Sequence, residues 1–148
     1  MRRLTPKGVV FKVNGRKPKR GEKPLSYEKM PEFYRHVDVQ LCTSYREGTP
    51  NPMFEAASCG KALVSTRVGA ISECIQHGEN GYLVDAYNSK EDFSLTINAL
   101  EKYILRLKDN RDLCLNMGKK SREIIERDWT WRDRAKQFVP LFEYCMNN

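Results

Sequence analysis

Apolar and polar positions change period along this chain, and the changes divide it into elements. Val9–Asn14 (VVFKVN) alternates, the period of a strand with one buried face. Asp38–Ser44 (DVQLCTS), Lys61–Thr66 (KALVST) and Tyr82–Asp85 (YLVD) are short runs rich in apolar and β-branched residues, and read as three further strands. Helical signals lie between them. Ser26 is placed to cap a helix running to Val37, which Pro31 interrupts. Pro52–Cys59 reads as a helix ended by Gly60, and Gly69–Ala70 turns into a short helix reaching Gln76. HGENG reads as a turn. From Lys90 onward the period is helical. Phe93, Leu95, Ile97, Leu100, Ile104 and Leu107 mark a helix of about 20 residues. Asp109–Arg127 gives a second and Trp131–Met146 a third, with a kink expected at Pro140.

Strand and helix alternate and then helices follow alone, so the expected class is α/β: an open, mostly parallel sheet with helices on both faces, ending in three helices. The 148 residues suit one domain over 1–148, long enough to bury roughly 70% of the surface of the unfolded chain. In such folds ligands bind where strand carboxyl ends lead into helices. The segment YREGTPNPMFE, Tyr45–Glu55, falls at such a place.

Composition excludes some classes. No apolar run approaches the ~18–20 residues that span a bilayer. The N-terminus is basic, but its apolar stretch is broken by Lys12 and lacks a small-residue cleavage site, so a cytoplasmic location is expected. Five cysteines, odd in number and without a C-x-x-C pair, predict reduced and mostly buried thiols rather than a disulfide framework or a zinc site. The net charge of +7 is unevenly placed. Residues 1–36 hold 11 Lys and Arg against 3 Asp and Glu, while residues 37–148 hold 15 against 16. The cluster Gly15–Lys23 (GRKPKRGEK) suits an anionic partner or, equally, a solvated loop.

The Tyr45–Asn51 loop has its own chemistry. A helix start offers unsatisfied N–H groups and a partial positive charge, which attract phosphate. Pro52 fits the first helical position and Asn51 the N-cap before it. Gly48 lets backbone approach a ligand. Gly48, Thr49 and Asn51 supply amides, since Pro50 and Pro52 have none, and a diphosphate is a reasonable guest. Glu47 and Glu55 flank the loop, and each carboxylate is able to accept from sugar hydroxyls. Spacing alone favours the plainer reading, in which both carboxylates are solvated or Glu55 matches the helix dipole.

Read whole, VDVQLCTSYREGTPNPMFEAASCGKALVSTRVGAISECIQHGENGYLVD (Val37–Asp85) resembles the family 4 retaining glycosyltransferases, glycosyl transferases group 1, over about 50 residues without a gap. The shared features are the E-x7-E pair, the small-residue helix ended by Gly60, the V-G-A-I-S-E turn and the N-G-Y-L-V strand. DWTWRDRAKQFVPLFEYC resembles the family's closing helix. The resemblance implies a Rossmann-like domain, the C-terminal half of a GT-B fold, that binds a nucleotide-diphosphate sugar as donor.

By that resemblance Glu47 contacts hydroxyls of the donor sugar and is the catalytic residue, and Glu55 holds the ribose hydroxyls. Gly48, Thr49 and Asn51 face the sugar and diphosphate, and Gly15 and Arg16 lie where the nucleobase meets backbone. Glu73 is implied to be structural. The implied reaction moves a hexosyl group from a UDP- or GDP-sugar to a glycan or lipid-linked acceptor, in polysaccharide biosynthesis, with retention and without a bound metal or resident cofactor. Gly69–Ala70 replaces the usual Gly-Gly, Thr49 stands where an aromatic is common, and the ALVS strand lacks the usual proline. The family's N-terminal acceptor domain has no counterpart here, nor have the first strand or strands with the Arg and Lys that grip the diphosphate. The expectation is therefore a carboxyl-terminal piece of a longer enzyme, with a degenerate, non-catalytic remnant as the alternative, and in either case a chain inactive by itself. Contact with the inner face of a membrane is compatible with the basic first quarter. The contrasting expectation is a non-catalytic basic module binding nucleic acid or an acidic partner through residues 15–23, and nucleic acid is the less expected partner. His36 and His77 are expected at caps or on the surface, Arg67 lies next to the third strand's end within reach of the cleft and is given no role, and Trp129 and Trp131 are expected to pack the last helix onto the body.

Overall fold

The computed structural model describes residues 7–10, 25–86 and 93–148. Three parallel strands, β1 (Val39–Cys42), β2 (Ala62–Thr66) and β3 (Gly81–Val84), form a sheet in the order β1-β2-β3. Val39 stands opposite Ala62, and Leu63 opposite Gly81. The expected strand at Val9–Asn14 is not seen at Val9 and Val10, and its remaining residues lie outside the described ones. So do Gly15, Arg16 and the rest of the basic cluster.

The helices are α1 (Met30–Arg35), α2 (Asn51–Ser58), α3 (Ile71–Cys74), α4 (Ser94–Asp109), α5 (Arg111–Asp128) and α6 (Trp131–Asn147). The expected interruption at Pro31 is a change of helix type. A 3-10 turn, Tyr27–Lys29, precedes α1, and Pro31 sits in the first turn of α1, where its missing N–H is not needed. α3 ends at Cys74, short of the expected Gln76. α6 runs through Pro140 as one helix. Asn110 caps α5 by accepting from the Leu113 amide, and Thr130 caps α6 by accepting from the Asp133 amide.

Alternation along β2 and β3 sends side chains to two cores. Leu63 and Leu83 join Tyr34, Met53, Ala56, Ala57, Ile71 and Ile124 on one face. Ala62, Val64, Tyr82 and Val84 join Leu100, Ile104, Leu107 and Met117 on the other. Helices therefore cover both faces, as expected, and β2 is buried throughout. α5 contributes to both cores, and it crosses below β2 at Gly118. A Cβ there would lie 2.2 Å from the Gly60 carbonyl oxygen, so only glycine lets the helix pass.

The sheet edges differ. β3 is buried, and its Leu83 amide donates to His77 Nδ1 at 3.2 Å. His77 thus satisfies an edge N–H, a role beyond the surface placement expected for it. Tyr82 and Tyr103 stack beside it with ring centroids 4.1 Å apart. β1 is only half-buried and borders a groove of about 810 Å³ lined by Phe33, Val37, Leu41, Leu100 and Ile104 among others.

Two expectations about surface residues need correction. Trp129 does pack, against Phe54 and under the Arg134 guanidinium, but Trp131 is 89% exposed and contributes nothing to the core. α6 has no buried residue among those described. All five cysteines are free, as expected, but Cys145 is exposed.

Candidate functional site

The carboxyl ends of the three strands converge, and hydrogen bonds tie their loops together. The Thr66 hydroxyl, at the end of β2, donates to the Ser44 carbonyl just after β1, at 2.6 Å. The Arg67 amide donates to the Val84 carbonyl at the end of β3, and Arg67 Nε pairs with Asp85 at 2.8 Å. Arg67 is thus engaged across strand ends, and both partners are about half exposed.

The loop after β1 is held mainly from the β2 side. The Ala70 amide donates to the Gly48 carbonyl at 2.9 Å. Gly69, at φ +51°, lies so close beneath that a Cβ would meet Gly48 O at 2.2 Å and Glu47 O at 2.7 Å. The glycine of the V-G-A turn is therefore a backbone seat for the loop that carries Glu47 and Gly48. A second turn follows at once. Pro50 (φ −75°, ψ 79°) centres an inverse γ-turn in which the Asn51 amide donates to the Thr49 carbonyl at 2.9 Å. This carries the chain directly into α2.

That turn shifts one detail. Pro50, not Asn51, occupies the N-cap position, and Asn51 is the first helical residue with its amide already used. The Gly48 and Thr49 amides donate to no acceptor among the described residues, and both residues are exposed. Two amides rather than three thus face solvent before the positive end of α2.

Each carboxylate of the E-x7-E pair accepts one hydroxyl. Ser44 Oγ donates to Glu47 Oε1 at 2.7 Å, and Glu47 is exposed. Tyr34 Oη donates to Glu55 Oε2 at 3.0 Å, and Glu55 is half-buried. The Tyr34 hydroxyl is held well above the usual tyrosine range, first by burial and then by the Glu55 carboxylate. It therefore remains a donor at every ordinary pH.

α2 is built to hold its end of the site still. Its buried side presents Met53, Ala56 and Ala57 to the sheet, and the small alanines allow close approach. Its C-terminus closes in a Schellman arrangement. Lys61 N donates to Ala56 O, Gly60 N donates to Ala57 O, and Gly60 takes φ +69°. Glu73, implied as structural, is exposed in the first turn of α3. Among the described residues no cluster of His, Cys, Asp and Glu is arranged to hold a metal ion, and no helix is long and apolar enough to cross a membrane. The groove beside β1 reaches Tyr34, Thr43 and Pro52, but none of Glu47, Gly48, Thr49, Asn51 and Glu55 lines it.

Tyr34 was not singled out by sequence reading. Its signal is one of two adjacent aromatics, Phe33 and Tyr34, in a helix before the strand, which any core residue matches. Gly118 escapes in the same way, because its partner Gly60 is remote, while His77, expected at a cap or on the surface, carries no signal of its bond to the Leu83 amide.

Comparison with known proteins places these features. Residues 20–102 match the family model described as Glycosyl transferases group 1. The chain is 31% identical over 116 residues to N-acetyl-alpha-D-glucosaminyl L-malate synthase of Bacillus anthracis, covering 78% of this chain and 27% of that protein. Among solved structures, sucrose-phosphate synthase of Thermosynechococcus elongatus superposes with a TM-score of 0.71 at 24% identity, over 83% of this chain and 29% of that one. A variant of S. aureus TarM, in complex with fondaparinux, alpha-GlcNAc-glycerol and UDP, superposes with a TM-score of 0.65 at 26% identity, over 77% and 22%. The chain thus spans less than a third of the length of each of these proteins. The fold is the Rossmann-like C-terminal half of a GT-B architecture.

Proposed function

The chain belongs to the glycosyl transferases group 1 family, and on that premise we propose that it is the donor-binding domain of a glycosyltransferase, taking a nucleotide-diphosphate sugar at the loop between β1 and α2. The observation that carries the reading is the seat of that loop. Gly69 and the Ala70 amide fix the Glu47–Gly48 backbone, leaving the Gly48 and Thr49 amides without an acceptor among the described residues just before α2, with Glu55 one turn into that helix. The UDP in the TarM complex supports a uridine nucleotide as the first ligand to test.

In this reading the diphosphate lies against the Gly48 and Thr49 amides and the positive end of α2, which stabilise the charge that develops as the leaving group departs. Glu55 accepts from the ribose hydroxyls, and Glu47 accepts from hydroxyls of the donor sugar and orients its anomeric carbon. The acceptor, a glycan or lipid-linked hydroxyl, approaches from a part of the enzyme beyond these 148 residues, and transfer proceeds with retention and without a metal. Thr49 makes the sugar-facing surface more polar than an aromatic would.

Calorimetric titration of the chain with UDP, GDP and ADP, with Glu55→Ala as control, tests the proposal. Saturable binding of one nucleotide, weakened in the variant, is the expected result. Binding that is indifferent to Glu55, or that falls steeply with salt, would point instead to the basic residues 15–23.

A further inference from the structure

Tyr34 lies outside the E-x7-E segment yet meets one of its carboxylates. It occupies the last turn of α1 and is 1% exposed. Its ring packs with Met53, Ala56 and Ala57 on the buried side of α2, and Phe33 meets it edge-on at 5.3 Å. A buried hydroxyl needs an acceptor. Two acceptors compete for its single proton, the Pro52 carbonyl at 3.2 Å and Glu55 Oε2 at 3.0 Å. The carboxylate is nearer and charged, so it takes the stronger share. The second oxygen of Glu55, Oε1, accepts from no described residue.

We propose that Tyr34 is a positioning residue for the nucleotide: by holding Oε2 it fixes the Glu55 carboxylate and leaves Oε1 as the open acceptor for the ribose hydroxyls. The inference rests on the reading of Glu55 given above and adds what aims it. A glutamate side chain free on a helix surface loses rotamer freedom when it engages a ligand. One already held by a buried, rigid hydroxyl has lost it beforehand, so the ligand meets an acceptor in place. The arrangement also links two elements. Tyr34 comes from the helix before β1 and Glu55 from the helix after it, so the ribose subsite depends on how α1 seats against α2.

The test is calorimetry with UDP, or GDP if that is the nucleotide bound, on the wild-type chain, Tyr34→Phe, Glu55→Ala and the double variant. The matching 2′,3′-dideoxynucleotide serves as second ligand. Tyr34→Phe should weaken the ribonucleotide about tenfold, the effect of one hydrogen bond to a charged group. It should barely change binding of the dideoxynucleotide, and it should cost nothing further in the Glu55→Ala background. A residue that merely supports the core would weaken both ligands alike and add to Glu55→Ala. That outcome overturns the proposal, as does wild-type affinity in Tyr34→Phe. If Tyr34→Phe does not fold, Glu55→Asp keeps the charge but withdraws it from the Tyr34 hydroxyl. It should show the same selective loss, and wild-type discrimination in it overturns the proposal. Absence of nucleotide binding by the wild-type chain would instead overturn the donor-site reading and this inference with it.

Discussion

Gly69 and Gly48 are in backbone contact across the ends of two strands, with no room at Gly69 for even a methyl group. The clash would be with backbone atoms, 2.2 Å from Gly48 O and 2.9 Å from Gly48 C, so no flexible side chain is there to yield. The φ of +51° adds strain for any other residue. Gly69→Ala should therefore lower stability by about 2–4 kcal/mol and weaken UDP binding at the displaced loop. Urea unfolding together with calorimetry checks this, and an unchanged urea midpoint would contradict the packing described.

Gly118 sets two effects against each other. Helix propensity alone makes Gly118→Ala stabilising by about 1 kcal/mol. The added Cβ, however, would stand 2.2 Å from the Gly60 carbonyl oxygen, where α5 crosses below β2. Overpacking of that kind costs about 1–3 kcal/mol or more and should win, giving net destabilisation in urea unfolding. The sign of the change is the test.

Cys74 predicts an alkaline limit to stability. Burial pushes its thiol up to about 12 from an ordinary 9.0, with Arg134 pulling the other way and Asp128 adding to the rise. The unfolded chain thus releases this proton at lower pH than the folded one. The stabilisation is complete below pH 9 and is lost as pH rises from 9 toward 12. Urea midpoints measured across that range should fall for the wild type and fall less steeply for Cys74→Ala.

Glu47 should separate binding of sugar from binding of nucleotide. It is exposed and bonds only to Ser44 among the described residues, so Glu47→Ala should change stability by no more than about 0.5 kcal/mol. UDP affinity should also be little changed. The extra affinity of a UDP-sugar over UDP should disappear, as read by titration with UDP-glucose and UDP-N-acetylglucosamine.

Legibility in the sequence followed locality. β2, with every residue buried, and the helices from Ser94 onward were readable because period and end signals lie within one element. The loop between β1 and α2 was readable by position, since parallel sheets place strand ends and helix starts together. The resemblance of Val37–Asp85 then named its chemistry, and the match of residues 20–102 to the family model agrees with it. What escaped were contacts between distant residues. Tyr34 and Glu55 are 21 positions apart, and Ser121 and the buried Asn80, whose carbonyl it satisfies, are 41 apart. α6 escaped for another reason. Its apolar spacing reads as a core helix, yet Phe138, Leu141 and Phe142 are all more than half exposed. Amphipathic spacing says that a face is available to be covered, not that this chain covers it.

The most direct test of the donor-site account is amide NMR of the isotope-labelled chain during titration with UDP. The account predicts saturable shifts concentrated at Gly48 and Thr49, with smaller ones at Asn51 and Glu55, reached only at higher UDP concentration in Glu55→Ala. Shifts confined to residues 15–23, with Gly48 and Thr49 unmoved at saturation, would contradict it.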